Sequence, residues 1–305
     1  MIGIISPALA VDLMVEIKGE EVLKACFHPG GQGVDVARVV LQLEQSCRLV
    51  GFNGGESGIV LAALLEAEKI PSLLVRSEHS TATVIKITSD YSPHQTLQTL
   101  PPKVSRHEVD DLFSLASLLV LESKVVVIDG SLPRGMPSEV LMKLIRHAVA
   151  NGVPVVLDVA GEDLLAALPA FPTLIKPNLK QLMPFFEISA SPTEREVLAV
   201  AHQLRARGAQ NIVISLDGRG AVALSEGGAY LIQPPHLESM AEPGAGDSMV
   251  AAFAVGLHEG LPFPEILRLG AAAGSASVLR HGLGTAKREV IRRLLDFVKV
   301  LPFEG

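Results

Sequence analysis

Tryptophan is absent from the 305-residue sequence, and tyrosine and cysteine occur only twice each. The cysteines, Cys26 and Cys47, are too few for a disulfide framework and lack metal-ligand spacing, so we expect them to be packing residues in a reducing cytoplasm. No apolar run approaches the roughly 20 residues of a membrane helix. The apolar opening is interrupted by Pro7 and Asp12, which favours a first strand over a signal peptide. We therefore expect a soluble protein with no membrane partner.

The sequence also lacks a surplus of positive charge. It has 26 Lys and Arg against 33 Asp and Glu, which gives a formal net charge of −7. Nucleic acids and anionic membranes select basic faces, so neither is expected as the main partner. The composition is 48% hydrophobic with 27 Gly and 20 Pro. This is typical of a helix-and-strand protein with many tight turns and excludes a disordered chain.

Short β-branched runs alternate with helix-length stretches along most of the chain, which predicts a mostly parallel sheet covered by helices on both faces. The predicted strands are Ile2–Ser6, Arg48–Phe52, Ser72–Arg76, Val125–Asp129, Val153–Val159, Thr173–Lys176 and Ile212–Leu216. The predicted helices include Val34–Glu44, Ile59–Glu68, Ser138–Asn151 and Thr193–Arg207, and three more close the chain at about Ala245–Glu259, Pro264–Arg280 and Lys287–Val300. No repeat or linker interrupts the pattern, so residues 1–305 are predicted to form a single domain.

One segment breaks this alternation. Residues 81–100 alternate polar and apolar side chains around a turn at Ser92-Pro93, which is typical of an antiparallel hairpin. Together with residues 12–28 it predicts a small β lid, and an ordinary edge hairpin is the alternative.

The most informative motif is Gly244-Ala245-Gly246-Asp247, which leads directly into an apolar helix. Small residues at a helix start let backbone amides point at an anion. A carboxylate in such an anion hole repels phosphate but suits a base that takes a proton from an attacking hydroxyl. The alternative is that Asp247 only caps the helix.

A second glycine-rich turn reads Pro29-Gly-Gly-Gln-Gly-Val-Asp-Val-Ala-Arg38. It fails as a dinucleotide fingerprint, since it follows no clear strand and ends in Val36. Gly218-x-Gly220 fits the letters better but lies between two strand-like runs, so a hairpin turn is favoured there. Neither a Walker A motif nor a Gly-x-Ser-x-Gly elbow occurs. Dehydrogenases, P-loop NTPases and serine hydrolases are therefore disfavoured.

The combination of motifs resembles the ribokinase-like, PfkB-type carbohydrate kinases, and within them the 1-phosphofructokinase, tagatose-6-phosphate kinase and minor 6-phosphofructokinase branch. In chain order the motifs are Asp12, Gly30-Gly31-x-Gly33, Gly54-Gly55, Gly130-Ser131-Leu132-Pro133, Lys176-Pro177-Asn178, Ser215-Leu216-x-Gly218-x-x-Ala221 and Gly244-Ala245-Gly246-Asp247-Ser248. The resemblance implies a three-layer α/β/α fold with a central sheet of about eight or nine strands, and a small β lid that often mediates dimerisation.

The resemblance also implies roles for individual residues. Asp247 is expected to be the catalytic base, and the amides of Gly244, Ala245 and Gly246 are expected to stabilise the transferred phosphoryl group. The residues expected at the acceptor are Asp12, Gly30, Gly31, Gln32, Asp35 and Arg134. Those expected along ATP are Lys176, Asn178, Ser215, Gly218 and Gly220, with Gly274 and Ser275 near the adenine. ATP and Mg²⁺ are the implied cofactors.

Several positions depart from the family pattern. The lysine and asparagine of the usual Gly-Gly-Lys-Gly and Asn-Val-Ala-Arg sequences are Gln32 and Asp35 here, and the arginine of a Thr-Arg pair at the lid is Ala82. Two cations for an acceptor phosphate are therefore absent and a carboxylate is added. The Asn-x-x-Glu motif, which organises magnesium through water, ends in Gln181. With no direct metal ligand identified, Gln181 is a candidate for the second coordination sphere, and its lack of charge predicts a high Mg²⁺ requirement.

Three hypotheses follow. The first is an active kinase whose acceptor is a small sugar, polyol or nucleoside without a phosphate. The second is a conventional sugar-phosphate kinase with a rebuilt phosphate clamp. The third, from a different class, is a weakly active ligand-binding or regulatory protein; retention of Asp247 counts against it, because a binder does not need a carboxylate in an anion hole.

Overall fold

The computed structural model describes residues 1–89, 95–235, 237, 244–279 and 286–304. Strands and helices alternate along these residues. The strands are β1 (Ile2–Ile5), β2 (Ala10–Lys18), β3 (Glu21–Gly30), β4 (Cys47–Gly54), β5 (Ser72–Ser77), β6 (Ala82–Ser89), β7 (Gln95–Gln98), β8 (Val125–Asp129), β9 (Val155–Asp158), β10 (Leu174–Ile175), β11 (Asn211–Ser215), β12 (Ala221–Ser225), β13 (Gly228–Gln233) and β14 (Lys299–Pro302). The helices are α1 (Gln32–Gln42), α2 (Gly55–Ala67), α3 (Arg106–Glu122), α4 (Glu139–Ala150), α5 (Gly161–Ala167), α6 (Leu179–Leu182), α7 (Glu194–Ala206), α8 (Ala245–Glu259), α9 (Phe263–Ser277) and α10 (Arg288–Leu294).

Ten strands form the large sheet, in the order β14-β13-β12-β11-β10-β9-β8-β1-β4-β5. Seven neighbouring strands of this sheet are parallel, namely β5, β4, β1, β8, β9, β10 and β11. Strands β12, β13 and β14 extend the sheet with antiparallel pairing. All seven strands predicted from the sequence lie in the parallel part. The sheet exceeds the expected eight or nine strands, because the chain returns after α10 and adds β14 at the edge.

Side chains of the parallel strands alternate between two apolar layers. On β8, Val126 and Ile128 pack into a cluster with helices α3, α4 and α7, whereas Val125 and Val127 pack into a second cluster with α1, α8 and α9. Strands buried on both faces are the reason that these runs are continuously apolar in the sequence. The predicted three-layer α/β/α architecture is confirmed.

The second, smaller sheet has four strands in the order β3-β2-β6-β7. Strands β6 and β7 pair antiparallel, which confirms the predicted hairpin; its Ser92-Pro93 turn lies outside the described residues. Strand β2 pairs with β6 in parallel, with Asp12 opposite Val84 and Met14 opposite Lys86. This small sheet is the predicted lid, and its first two strands extend two residues beyond the predicted 12–28 at each end.

One helix predicted near the end of the chain is shorter than expected. The helix expected over 287–300 ends at Leu294, a short 3-10 turn follows at 295–297, and residues 299–302 form β14 against β13. Backbone hydrogen bonds to an open sheet edge outweigh the helical apolar spacing here. Within the described part of the chain, none of the helices has both the length and the apolar character to span a membrane.

Candidate active site

Four neighbouring strands end at one edge of the large sheet and carry polar residues there. Asp129 and Asp158 are the last residues of β8 and β9 and lie in register with each other. Lys176 directly follows β10, and Ser215 ends β11. Because parallel strands direct their carboxyl ends to one side, these residues line a common cleft, which is where ligands bind in sheets of this kind.

Helix α8 begins at the same cleft. Gly244, the residue before it, has a φ of 115°, a conformation that favours glycine. The first amides of α8 have no partner within the helix, which leaves them available to bind an anion, as the motif predicts. A Cβ atom on Gly246 would lie 3.1 Å from Lys176 Nζ, so this helix start and the lysine face the same space. The N-cap residue of α8 is Gly244, so Asp247, the third residue of the helix, is not itself at the capping position.

Asp247 lies in an environment that suits a general base. Burial is the largest cause that raises its pKa, to about 7, and the negative charges of Asp35 and Asp158 add to the effect. Lys176 and a hydrogen bond from Gln32 act in the opposite direction. Gln32 Nε2 donates to Asp247 Oδ1 over 3.3 Å, so the glycine turn and α8 are in direct contact. A carboxylate with a pKa near neutrality can both accept and return a proton.

Lys176 is the cation of the carboxylate cluster. It is 5% exposed, and its Nζ lies 3.1 Å from Asp158 Oδ2. Burial alone lowers the pKa of this lysine, but Asp158, Asp247 and Asp129 together raise it above its ordinary value. The pKa of Asp129 is raised well above its usual range by burial, followed by repulsion from Asp158 and Asp247. The cleft therefore concentrates negative charge around one buried cation.

The glycine turn forms the opposite wall. A Cβ on Gly30 would lie 2.3 Å from Asp12 Oδ1, so only glycine leaves room for that carboxylate. Gly31 has a φ of 106° and precedes α1, whose first residue is Gln32. The turn thus places Gly30 against Asp12 and Gln32 against Asp247, and Asp12 lies close enough to Asp35 to raise its pKa.

Both cations near this wall are already paired. Lys86 Nζ donates to Asp12 Oδ2 over 2.6 Å from the neighbouring strand of the small sheet. Arg38 Nη1 donates to Asp35 Oδ1 over 2.7 Å, and its remaining donors bind Glu68 and the carbonyl of Pro29. Burial raises the pKa of Asp35 to about 6 in spite of Arg38.

The predicted nucleotide residues lie at the carboxyl ends of β10 and β11. The side chains of Asn178 and Gln181 cap α6 reciprocally, and Asn178 bridges to Ser215. Gly218 and Gly220 lie in the turn between the antiparallel β11 and β12, as the hairpin interpretation predicts. Their contact with ATP stays a prediction, as does the role of Gln181 toward the metal.

Three further predicted residues lie on α9 and after β8. Gly274 packs α9 against the start of α8, since a Cβ there would lie 2.9 Å from Met249 Cγ and 3.3 Å from the carbonyl oxygen of Ala245, and Ser275 is buried beside it. Their role near the adenine is untested. Arg134 is exposed, four residues after Gly130, whose Cβ would lie 3.9 Å from Gln32 Oε1.

Sequence reasoning missed Asp129, Asp158 and Lys86. The first two had a usable signal, because each is an acidic residue at the end of a predicted buried strand, where parallel strands place binding residues. The signal for Lys86 was weaker. Its alternation with apolar residues in the predicted hairpin indicates on which face of the hairpin its side chain lies, but not which residue it contacts.

Comparison with known proteins identifies similar chains. A family model described as pfkB family carbohydrate kinase matches residues 4–289. The chain is 29% identical over 273 residues to 1-phosphofructokinase of Bacillus subtilis (strain 168), covering 90% of this chain and 88% of that protein. It is 31% identical over 295 residues to D-tagatose-1-phosphate kinase of Bacillus licheniformis, covering 92% and 93%. A solved structure of phosphofructokinase-2 from Escherichia coli in complex with fructose-6-phosphate aligns with a TM-score of 0.85 and 28% identity, covering 97% of this chain and 98% of that one.

Proposed function

Because the chain belongs to the pfkB family of carbohydrate kinases, we propose that it transfers the γ-phosphoryl group of ATP to a hydroxyl of a small sugar or polyol that carries no phosphate. The observation that carries the choice of acceptor is the pairing of charges at the glycine turn. Lys86 is neutralised by Asp12, and Arg38 by Asp35 and Glu68. A phosphate entering there would have to break a part-buried ion pair and approach the carboxylates.

In the proposed reaction, each wall of the cleft has a task. Asp247 removes the proton from the attacking hydroxyl, and the free amides at the start of α8 stabilise the charge on the transferred group. Asp12 accepts hydrogen bonds from acceptor hydroxyls. Lys176 and the residues at the ends of β10 and β11 hold the nucleotide. Mg²⁺, when bound, would neutralise phosphate oxygens; the carboxylates of Asp129 and Asp158, which lie beside Asp247, are the hard oxygen donors that it prefers.

A second candidate is a kinase for a phosphorylated sugar. It is favoured by the named activities of the relatives, 1-phosphofructokinase and D-tagatose-1-phosphate kinase. Arg134 is exposed and Lys86 lies at the acceptor wall, so these two cations are the groups that would hold the phosphate. The choice between the candidates depends on whether Lys86 leaves Asp12 when the acceptor binds.

A coupled ADP-release assay over unphosphorylated sugars, polyols, nucleosides and the matching sugar phosphates tests the proposal. We expect kcat/KM to be highest for an unphosphorylated acceptor. A clear preference for fructose 1-phosphate, fructose 6-phosphate or a tagatose phosphate would establish the second candidate. Absence of turnover with every acceptor, at normal ATP binding, would instead favour a ligand-binding protein.

The double variant Gln32→Lys, Asp35→Asn sharpens this test, since it restores the family's cation and removes the added carboxylate. Charge-assisted hydrogen bonds are worth about 1.5–3 kcal/mol each, so kcat/KM for sugar phosphates should rise by about 10-fold or more relative to that for neutral sugars. The variant Asp110→Lys, on the exposed face of α3, changes the net charge by the same two units and is the charge-matched control. An unchanged ratio would show that positions 32 and 35 do not determine the preference.

The small sheet also has a proposed role as the lid of a single kinase domain and as a homodimer contact. Its outer strands expose Val22, Leu23, Phe27 and Leu97, which are between 48% and 60% accessible. Apolar side chains in such a group are typical of interaction surfaces. Sedimentation of Phe27→Asp at micromolar concentration tests the contact: a monomer is expected where the parent is a dimer. The cytoplasmic location inferred from the two cysteines, both free, stays a prediction.

A further inference from the structure

The side chain of Asp129 forms no ion pair among the described residues, and the nearby cation Lys176 is paired with Asp158. The residue is completely buried at the end of β8, and neither carboxylate oxygen has a hydrogen-bond partner among the described residues. Buried carboxylates are normally paired or hydrogen-bonded, or they bind a metal, because leaving them alone is costly. An unpaired carboxylate at this position therefore indicates that its partner is a ligand.

The unpaired carboxylate faces two others. Oxygen atoms of Asp129, Asp158 and Asp247 all lie within 4.8 Å of one another. Two of the residues are fixed in register on adjacent parallel strands, and the third is fixed in the first turn of α8. Donor oxygens held on rigid elements at this spacing converge on one point, which is the arrangement that hard divalent cations require.

A bound divalent ion would balance the charges of the cluster. With the ion bound, all three carboxylates are ionised and carry three negative charges, and Lys176, 3.1 Å from Asp158, supplies one positive charge. The remaining two negative charges match Mg²⁺ or Mn²⁺. Gln181, by contrast, is neutral and its side chain is engaged by the backbone of Asn178, so it does not supply the carboxylate that the Asn-x-x-Glu motif would bring.

We propose that Asp129, together with Asp158 and Asp247, binds a divalent cation in the nucleotide-free protein, and that Asp129 takes over the carboxylate contribution absent at position 181. The catalytic use of this ion rests on the proposed phosphoryl transfer, whereas its binding does not. The site fits Mg²⁺ or Mn²⁺ better than Zn²⁺, since the three residues offer only oxygen.

Titration of the nucleotide-free protein with Mn²⁺, followed by the electron paramagnetic resonance signal of the free ion, tests the site directly. We expect about one Mn²⁺ per chain, displaced by excess Mg²⁺. Asp129→Asn should weaken Mn²⁺ binding on the order of 10-fold or more, the scale for groups that support a metal. Asp110→Asn should bind as the parent does. Absence of Mn²⁺ binding by the parent, or equal binding by Asp129→Asn, would overturn the proposal.

Thermal unfolding gives a second readout that does not depend on activity. Without metal, Asp129→Asn should unfold at a higher temperature than the parent, because a buried negative charge is removed. Added Mg²⁺ should raise the unfolding temperature of the parent and leave that of the variant nearly unchanged. Asp129→Ser repeats the test with a smaller neutral side chain. Equal Mg²⁺ shifts in parent and variants would refute the site, and a protein that binds Mn²⁺ but phosphorylates no sugar would refute only the proposed function.

Discussion

The two walls of the cleft differ in how far their charged side chains are paired. At the wall formed by the carboxyl ends of β8 to β10 and the start of α8, three carboxylates share one lysine, and the helix amides are free. At the wall formed by the glycine turn and the small sheet, Asp12 is paired with Lys86 and Asp35 with Arg38. Charged side chains without a partner are stabilised most by a charged ligand, whereas side chains that are already paired are better suited to hydrogen bonds with neutral hydroxyls. The first wall thus suits ATP and its metal, and the second an uncharged sugar.

The most severe test of the first wall is Asp247→Asn. Without the base, kcat should fall by roughly 10²-fold or more, the scale of general-base catalysis. The amide keeps the size of the side chain, and the hydrogen bond with Gln32 has an acceptor left. The circular dichroism spectrum should therefore match that of the parent, and ATP should still bind at saturating Mg²⁺. Turnover close to the parent's in the folded variant would remove Asp247 from the mechanism.

The pairing of Lys176 with Asp158 should be visible in stability. Lys176→Met leaves a buried carboxylate without its cation, and breaking such a pair costs about 3–5 kcal/mol. Urea unfolding of Lys176→Met, Asp158→Asn and the double variant measures the coupling. We expect the lysine substitution to cost less in the Asp158→Asn background. Costs that simply add would mean that the two residues contribute independently.

The electrostatic effect of Asp35 on Asp247, which lie on different walls, should be visible in the pH dependence of kcat/KM. A base acts when deprotonated, and the pKa of Asp247 is about 7, so kcat/KM should fall as pH drops below about 7 and level off above it. Asp35 is one of the charges that raise this pKa, together with Asp158, while Lys176 lowers it.

Asp35→Asn should therefore move the acid limb of the profile to lower pH. Titration of the nucleotide itself is the same for both proteins, which makes the difference between the two profiles the quantity to measure. Superimposable acid limbs would show that the charge of Asp35 does not reach the base.

The smallest expected effect concerns position 181. Gln181→Glu adds a carboxylate but keeps a residue type that can cap α6. The sequence predicts that this change lowers the Mg²⁺ concentration needed for half-maximal activity. With Asp129 already in the cluster, the decrease should be smaller than the increase caused by Asp129→Asn, as titration of free Mg²⁺ at fixed MgATP would reveal. A larger effect at 181 than at 129 would place the metal nearer to α6.

The parts of this protein that depend on local pattern could be predicted from its amino-acid sequence. Continuous β-branched runs indicated the seven parallel strands, alternation indicated the hairpin over 81–100, and small residues before an apolar helix indicated the anion hole at 244–247. These features follow from side-chain periodicity and backbone freedom within a few residues, so they can be predicted without knowledge of the rest of the chain.

Which charged side chains contact one another depends instead on the tertiary structure. Lys86 contacts Asp12 across 74 positions of sequence because β2 pairs with β6 in a particular register. Asp129 and Asp158 face Asp247 because β8 and β9 are neighbours beneath the start of α8. The order of strands in a sheet and their register depend on packing of the whole chain, and electrostatic energy depends on the resulting distances and burial. Local pattern therefore indicated Asp247 as the proposed base, whereas the fold determined which cation and which carboxylates lie beside it.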